Sequence, residues 1–419
     1  MKIKKIWALE ILDSRGFPTI KCNLLLSNGK KVSSCVPSGA SVGQAEALEL
    51  RDSAKKRYFG KGVLRAIENI EKKIFPILKD KEPDLFLMDK ELVELDKTKN
   101  KSNLGANAIL AVSMAVARAQ AAAHNIQLYE LINKLGNLSN YFIPKVMFNI
   151  LNGGMHSDSG ICFQEFMIMP LGNKSFSEKL NQVVMVYQKL KKLLEEHGYS
   201  VGVGDEGGFA PKLAKKNDSG EKKALDFLVK AVDCSGLKLG KDIAFCLDVA
   251  ASQFYDKNNG LYYLKDRKLT AKEMINLYED LISQYPINSI EDGLDEQDWQ
   301  GWKEMTENLG SRVQLVGDDI FATNTKLIKK GIDNGIANAV LIKPNQIGTV
   351  SETIEAIGIC KKNKYKTVVS HRSGETCDDF ISDLAVGICS GQFKAGACAR
   401  GERVAKYNRL LEIEFNINK

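Results

Sequence analysis

Two runs of mostly apolar residues, 3–12 and 20–26, read as strands. Ser14-Arg15-Gly16 joins them and Ser27-Asn28-Gly29 follows as a turn, the signature of a hairpin. Three segments then carry apolar residues at three- and four-residue spacing, 46–56, 62–78 and 106–135, and predict helices. The last is rich in alanine and long enough to need burial against other elements. Together these make an α+β unit that ends near Gly136. Beyond residue 138 the rhythm changes to short apolar runs, each closing on a polar or charged cluster and each followed by a helical segment. Five such runs, 244–248, 287–291, 313–318, 339–343 and 367–371, end on Asp248, Glu291, Asp318, Lys343 and His371. The last four ends are separated by one strand, one helix and two loops each. Repeating βα units predict a parallel sheet, and this much chain favours closing the sheet into a barrel. The C-terminal rim of the strands is where such barrels do chemistry, so the five terminal residues are expected at one mouth.

A chain of 419 residues is too long for one ordinary domain and suits a barrel of about 250 residues with a smaller partner. The expected division is 1–136 and 137–419. Hydrophobic residues at 44% and charged ones at 26% supply a large core and exclude wholesale disorder, collagen-like repeats and disulfide scaffolds. No uninterrupted apolar run approaches the length of a transmembrane helix, and Met1-Lys2-Ile3-Lys4-Lys5 is followed by Glu10 and Asp13 rather than a signal-peptide core. A cytoplasmic protein without a transmembrane segment is expected. Nine scattered cysteines without a C-x-x-C spacing fit thiols in a reducing compartment. The net charge of +7 is spread over short basic pairs such as Lys191-Lys192, which read as solvated helix faces and argue against nucleic acid as a partner.

Three carboxylates on neighbouring strand ends, Asp248, Glu291 and Asp318, would repel one another unless a cation sat between them. All-oxygen ligation suits Mg²⁺ or Mn²⁺ better than zinc. A helix N-cap is the commoner fate of any one such carboxylate; three in register favour the metal. Lys343 would enter the same mouth, where burial and nearby positive charge would favour the neutral amine of a general base; the plainer reading is a lysine paired with one of the carboxylates. The stretch Val201 to Gly208 contains a formal G-x-G-x-x-G, but Asp205-Glu206 would put negative charge where a pyrophosphate should lie, so a dinucleotide cradle is rejected. Its glycines suit a tight loop presenting Glu206 as an acid. A second loop, Pro37-Ser38-Gly39-Ala40-Ser41-Val42-Gly43, suits a lid over an anion or metal, and Arg372-Ser373-Gly374 suits a phosphate.

Taken together these motifs resemble the enolase family over essentially the whole chain. The resemblance is carried by Leu12-Asp13-Ser14-Arg15-Gly16, Val36 to Ser41, Glu46 to Asp52, Asn103 to Leu110, Asn149 to Gly154, Gln164 to Pro170, Gly204 to Pro211, Leu247 to Ser252, Ser289 to Asp292, Gly317 to Asp319, Asn345 to Thr349 and Ser370 to Thr376. It implies an α/β fold, a modified (β/α)8 barrel of enolase type whose second strand runs antiparallel, with an N-terminal α+β capping domain. It implies a Mg²⁺-dependent lyase interconverting 2-phospho-D-glycerate and phosphoenolpyruvate. By similarity, Asp248, Glu291 and Asp318 bind a first Mg²⁺, and Ser41 helps to hold a second that arrives with substrate. Lys343 would remove the C2 proton, and Glu206, helped by Glu165, would protonate the departing C3 hydroxyl. His156, Gln164, His371 and Lys394 would line the substrate, with Arg372 and Ser373 on its phosphate.

Phe17, Val42, Ala111, Gln253, Cys377 and the stretch Ala395-Gly396-Ala397-Cys398 depart from the family pattern without removing any of these groups. A superfamily relative acting on a non-phosphorylated carboxylate is the neighbouring alternative, against which Arg372, Ser373 and the Ser41 loop stand. The family also implies a homodimer or larger homo-oligomer. A cell-surface or secreted pool that binds plasminogen through a lysine such as Lys419 is a further implication, set against a plain soluble tail.

Overall fold

The structure of the protein, a computed structural model, describes residues 1–39, 43, 45–53, 56–156, 159–213 and 220–419, with His156 described without its side chain. Ser41 and Val42 of the sequence reading lie outside the described residues. The chain begins with a three-stranded antiparallel sheet, Ile3–Leu12, Pro18–Leu26 and Lys31–Cys35, joined by tight turns. The first hairpin pairs Leu12 with Pro18 and Ile6 with Leu24, in the place the sequence pattern predicts. The helix Ala106–His124 packs on the second and third strands, and its alanines let the backbones approach closely. It has the length and apolarity to cross a bilayer, yet 83% of its apolar window is buried inside the protein, which makes it a core helix.

The helix predicted over 106–135 is two helices, Ala106–His124 and Leu128–Leu135, broken where Asn125 turns left-handed. The segment predicted as helix over 62–78 runs from Leu64 to Leu78 with a π-turn at Ile70–Ile74. The prediction for 46–56 fails: the described residues 46–53 are extended or bent. Their backbone donors are taken by other segments, Ala47 by the Gln346 carbonyl, Leu48 by the Asn100 carbonyl, Leu50 by Asn107 Oδ1 and Asp52 by the Gly62 carbonyl. Tertiary hydrogen bonds override an apolar period that a helix would also satisfy.

The remainder forms a closed eight-stranded barrel. In chain order its strands are Lys145–Asn152, Glu165–Pro170, Ile243–Asp248, Ile287–Glu291, Gln314–Gly317, Ala339–Ile342, Lys366–Ser370 and Gly391–Lys394. The second strand is antiparallel to both neighbours, and all other pairings are parallel. Parallel strands need a long crossover, and the connection between Asn152 and Glu165 is too short for one, so the chain doubles back instead. Inside the barrel, Met147, Met167, Cys246, Val316, Leu341 and Val368 form a dry plug. The polar mouth therefore sits on a low-dielectric floor, which strengthens every charge interaction above it. All nine cysteines are free thiols, as their spacing predicts.

Candidate active site

Strand register decides which side chains meet. Glu291 pairs with Asp248, and Asp248 with Glu165, so three carboxylates stand side by side at one end of the barrel. Glu165 reaches this mouth from the first residue of its strand because that strand is reversed; on a forward strand the same position would lie at the opposite end. Ser370 pairs with Lys394, which brings the last strand's terminal lysine beside the acids. Its ammonium is 3.0 Å from Asp248, 2.9 Å from both oxygens of Glu291 and 3.2 Å from Glu165, and all four side chains are buried. Asp318 follows the strand Gln314–Gly317 and accepts hydrogen bonds from Lys343 Nζ and from Gln346 Nε2 at 2.9 Å.

Glu206 comes from a loop whose tightness depends on glycine. Gly207 adopts φ +86°, and a Cβ on Gly208 would meet Asn152 Oδ1 at 2.8 Å and the Leu151 amide at 3.0 Å. The glycines bring backbone against the barrel rim, where Asn149 Nδ2 donates to Glu206 Oε2 at 3.0 Å. His371 Nε2 lies 3.5 Å from Glu206 Oε1. Gln164 donates to Asp248 Oδ2 at 3.1 Å. Arg372 is not free: its guanidinium contacts both oxygens of Glu46, at 2.8 and 3.2 Å, and Asn345 Oδ1 at 3.1 Å. Arg372 and Ser373 line the same cavity as Gln164, Glu165, Glu206, Asp248, Asp318, Lys343, His371 and Lys394. Glu291 is not among the lining residues and meets the site through Lys394, while Ser41 and the His156 side chain are outside the described residues.

Seven carboxylates and three lysine or arginine side chains line this cavity, and the imbalance marks the acids. Burial and the neighbouring Glu206 push Glu165 well above the usual carboxylate range, and burial with Asp248 does the same to Glu291. Asp292 is raised by burial and Asp319, and Asp319 is pushed up to about 7 by burial and Asp318. Burial also works against the Asp318 anion, but Lys343, followed by Arg372 and Gln346, outweighs it and holds that group low. Ligand atoms within 4.8 Å of one another occur in two groups among the described residues, Glu165 with Glu206 and His371, and Asp292 with Asp318 and Asp319; either is close enough to hold a metal ion. A surplus of buried carboxylates with no matching protein cation is the donor set of a hard, oxygen-ligated cation.

Lys343 takes the second of its two expected forms, a lysine paired with a carboxylate. Burial draws the Lys343 ammonium toward neutrality, but the adjacent Asp318 carboxylate outweighs both burial and the more distant cations, so the group is held above the usual lysine range. The nearest charge decides the sign, and spacing along the chain does not reveal which charge is nearest. Glu46, Asp292, Asp319 and Gln346 also belong to the site without having been singled out by the pattern. Asp292 and Asp319 directly follow Glu291 and Asp318, and this doubling of acids was the available signal.

Comparison with known proteins agrees with this geometry. Residues 3–132 match the family model described as enolase, N-terminal domain, and residues 140–419 match that of enolase, C-terminal TIM barrel domain. An enolase of Wolinella succinogenes is 51% identical over 418 residues, covering 99% of this chain and 97% of the relative. Enolases of two Helicobacter pylori strains are 51% and 50% identical over 420 residues, covering 100% of this chain and 96% of each relative. With both halves matched and the full length covered, the chain belongs to the enolase family.

Proposed function

We propose the following division of labour for the reaction of this family and of this chain, the reversible dehydration of 2-phospho-D-glycerate to phosphoenolpyruvate. The C2–H bond breaks as Lys343 takes the proton, the electron pair becomes the C2–C3 double bond, and the C3 hydroxyl leaves as water with a proton from Glu206. Glu165 shares the buried acid site with Glu206, and their mutual repulsion favours keeping a proton on the pair for donation. Lys394 contributes fixed positive charge toward the substrate carboxylate, where negative charge grows as C2 loses its proton. Gln164, His156 and His371 line the substrate, and Arg372 with Ser373 takes its phosphate once Arg372 exchanges its Glu46 partner for that anion.

Two Mg²⁺ ions, the first on Asp248, Glu291 and Asp318 and the second with Ser41, would add positive charge at the substrate carboxylate. The surplus of buried carboxylates described above fits that requirement. Lys343 can act as a base only after its ammonium loses a proton, and Asp318 must loosen its hold for this to happen. In this scheme residues 1–136 contribute the lid and Glu46, and 137–419 the rest. A homo-oligomer and cytoplasmic residence extend the proposal; sedimentation and cell fractionation check them.

The observation that carries the reading is a single buried cavity lined by a lysine and by a repelling carboxyl pair, Lys343 with Glu165 and Glu206. Ultraviolet absorbance of phosphoenolpyruvate on addition of substrate and Mg²⁺, abolished by a chelator, is the expected result. Absence of turnover from folded protein supplied with both would defeat it.

A further inference from the structure

Arg403 lies on the helix Gly401–Ile417, behind the active-site wall, and is completely buried. Burying a guanidinium is costly unless its donors are matched, and here the donors of both Nη atoms are matched while Nε lies 3.4 Å from Glu402 Oε1. Nη1 donates to the carbonyl of Arg372 at 2.6 Å and contacts Nδ1 of His371. Nη2 donates to the carbonyls of Asp205 at 3.0 Å and Ser373 at 2.6 Å. The four hydrogens on the two Nη atoms thus meet four acceptors. Space for the side chain is made by Gly396, which sits at φ +80°, where an added Cβ would lie 2.9 Å from Arg403 Cδ.

Arginine has donors and no acceptor, so the imidazole nitrogen facing it must offer a lone pair. That places the single ring proton of neutral His371 on Nε2, the nitrogen 3.5 Å from Glu206 Oε1 that has no hydrogen-bond partner among the described residues. We propose that Arg403 is the positioning residue that fixes the tautomer and aim of His371, turning it into an N–H donor directed into the cavity. The same guanidinium holds the carbonyl before Glu206 and the carbonyls of Arg372 and Ser373, so one buried group also sets the spacing between the loop bearing the acid and the loop proposed to take the phosphate. An Nε2 that carries hydrogen serves substrate and the carboxyl pair as a donor and leaves a divalent cation to the carboxylates. This inference rests on the dehydration scheme for its kinetic consequence, but not for the tautomer itself.

The chain has four histidines, which makes histidine-selective ¹⁵N labelling of the full-length protein informative. Long-range ¹H–¹⁵N correlations at pH 7.5, with His371→Asn to assign the resonance, should show one tautomer with the proton on Nε2. Arg403→Lys, which cannot reproduce the fork, should give a mixture of tautomers and lower kcat by about tenfold, the effect of losing one hydrogen bond to the transition state. A proton on Nδ1 in the wild-type protein would overturn the proposal, as would an Arg403→Lys protein whose tautomer is unchanged while kcat falls. Should Arg403→Lys fail to fold, the wild-type spectrum decides alone. Wild-type protein with the Nε2 tautomer but no turnover would sink the dehydration scheme and leave this inference standing.

Discussion

Replacing Lys394 by methionine removes the one ammonium that touches Asp248, Glu291 and Glu165, while keeping a side chain of similar length. The lysine side chain is 3% exposed, so water cannot substitute for the lost charge. Leaving buried charges unpaired in this way costs about 3–5 kcal/mol. At about 2 °C per kcal/mol for a chain of this size, the melting temperature in chelator should fall by about 6–10 °C. Mg²⁺ should recover much of the loss, because the site has become more acidic and a cation at a hundredfold excess over its Kd returns about 2.7 kcal/mol. The Mg²⁺-induced rise in melting temperature is therefore expected to be larger in Lys394→Met than in wild type. Turnover should nevertheless fall by at least about a hundredfold, the usual effect of deleting one fixed electrostatic partner of the reacting group. Thermal denaturation with and without Mg²⁺, paired with the absorbance assay, measures both. A variant with an unchanged melting temperature in chelator, or one that keeps its turnover, would show that Lys394 does not bind the acids together as argued.

Two other perturbations test separate parts of the structure. Glu46→Gln takes the charge from one partner of Arg372, so inorganic phosphate should compete better and bind about tenfold more tightly, the worth of one charge-assisted hydrogen bond; equal phosphate-induced thermal shifts in variant and wild type would contradict the exchange of partners. Asp89 is fully buried against the start of the helix Val350–Lys362, where it accepts from the Ser351 amide, and burial pushes it up to about 6. Its folded pKa exceeds its unfolded one, so the folded state binds the extra proton and stability falls as pH rises from about 4 to about 6. Asp89→Asn removes that penalty and should stabilise the protein by up to about 3 kcal/mol at pH 7.5 but hardly at all near pH 4. A gain of the same size at both values would show that the effect is not ionisation.

The barrel was readable where the sequence repeats a period: apolar runs ending in Asp248, Glu291, Asp318, Lys343 and His371 lie where a strand's forward end should be. Glu165 obeys no such rule, because its strand is reversed by a short connection, and only the family resemblance pointed to it. Lys394 was equally hidden, since Gly391–Lys394 is a short strand with one large apolar residue. The extended course of residues 46–53 was misread because its hydrogen-bond partners come from residues far away in sequence. Charge state was the least legible property: spacing along the chain does not reveal that the charged group nearest the Lys343 ammonium is the Asp318 carboxylate.

Lys343 as the base and Glu206 as the acid are the two roles on which the proposed dehydration turns. Exchange of the C2 proton of 2-phospho-D-glycerate with deuterated solvent, followed by ¹H NMR in the presence of Mg²⁺, separates the two roles. Lys343→Ala should abolish exchange, whereas Glu206→Gln should block dehydration and retain part of the exchange. Equal exchange in the two variants would contradict the assignment.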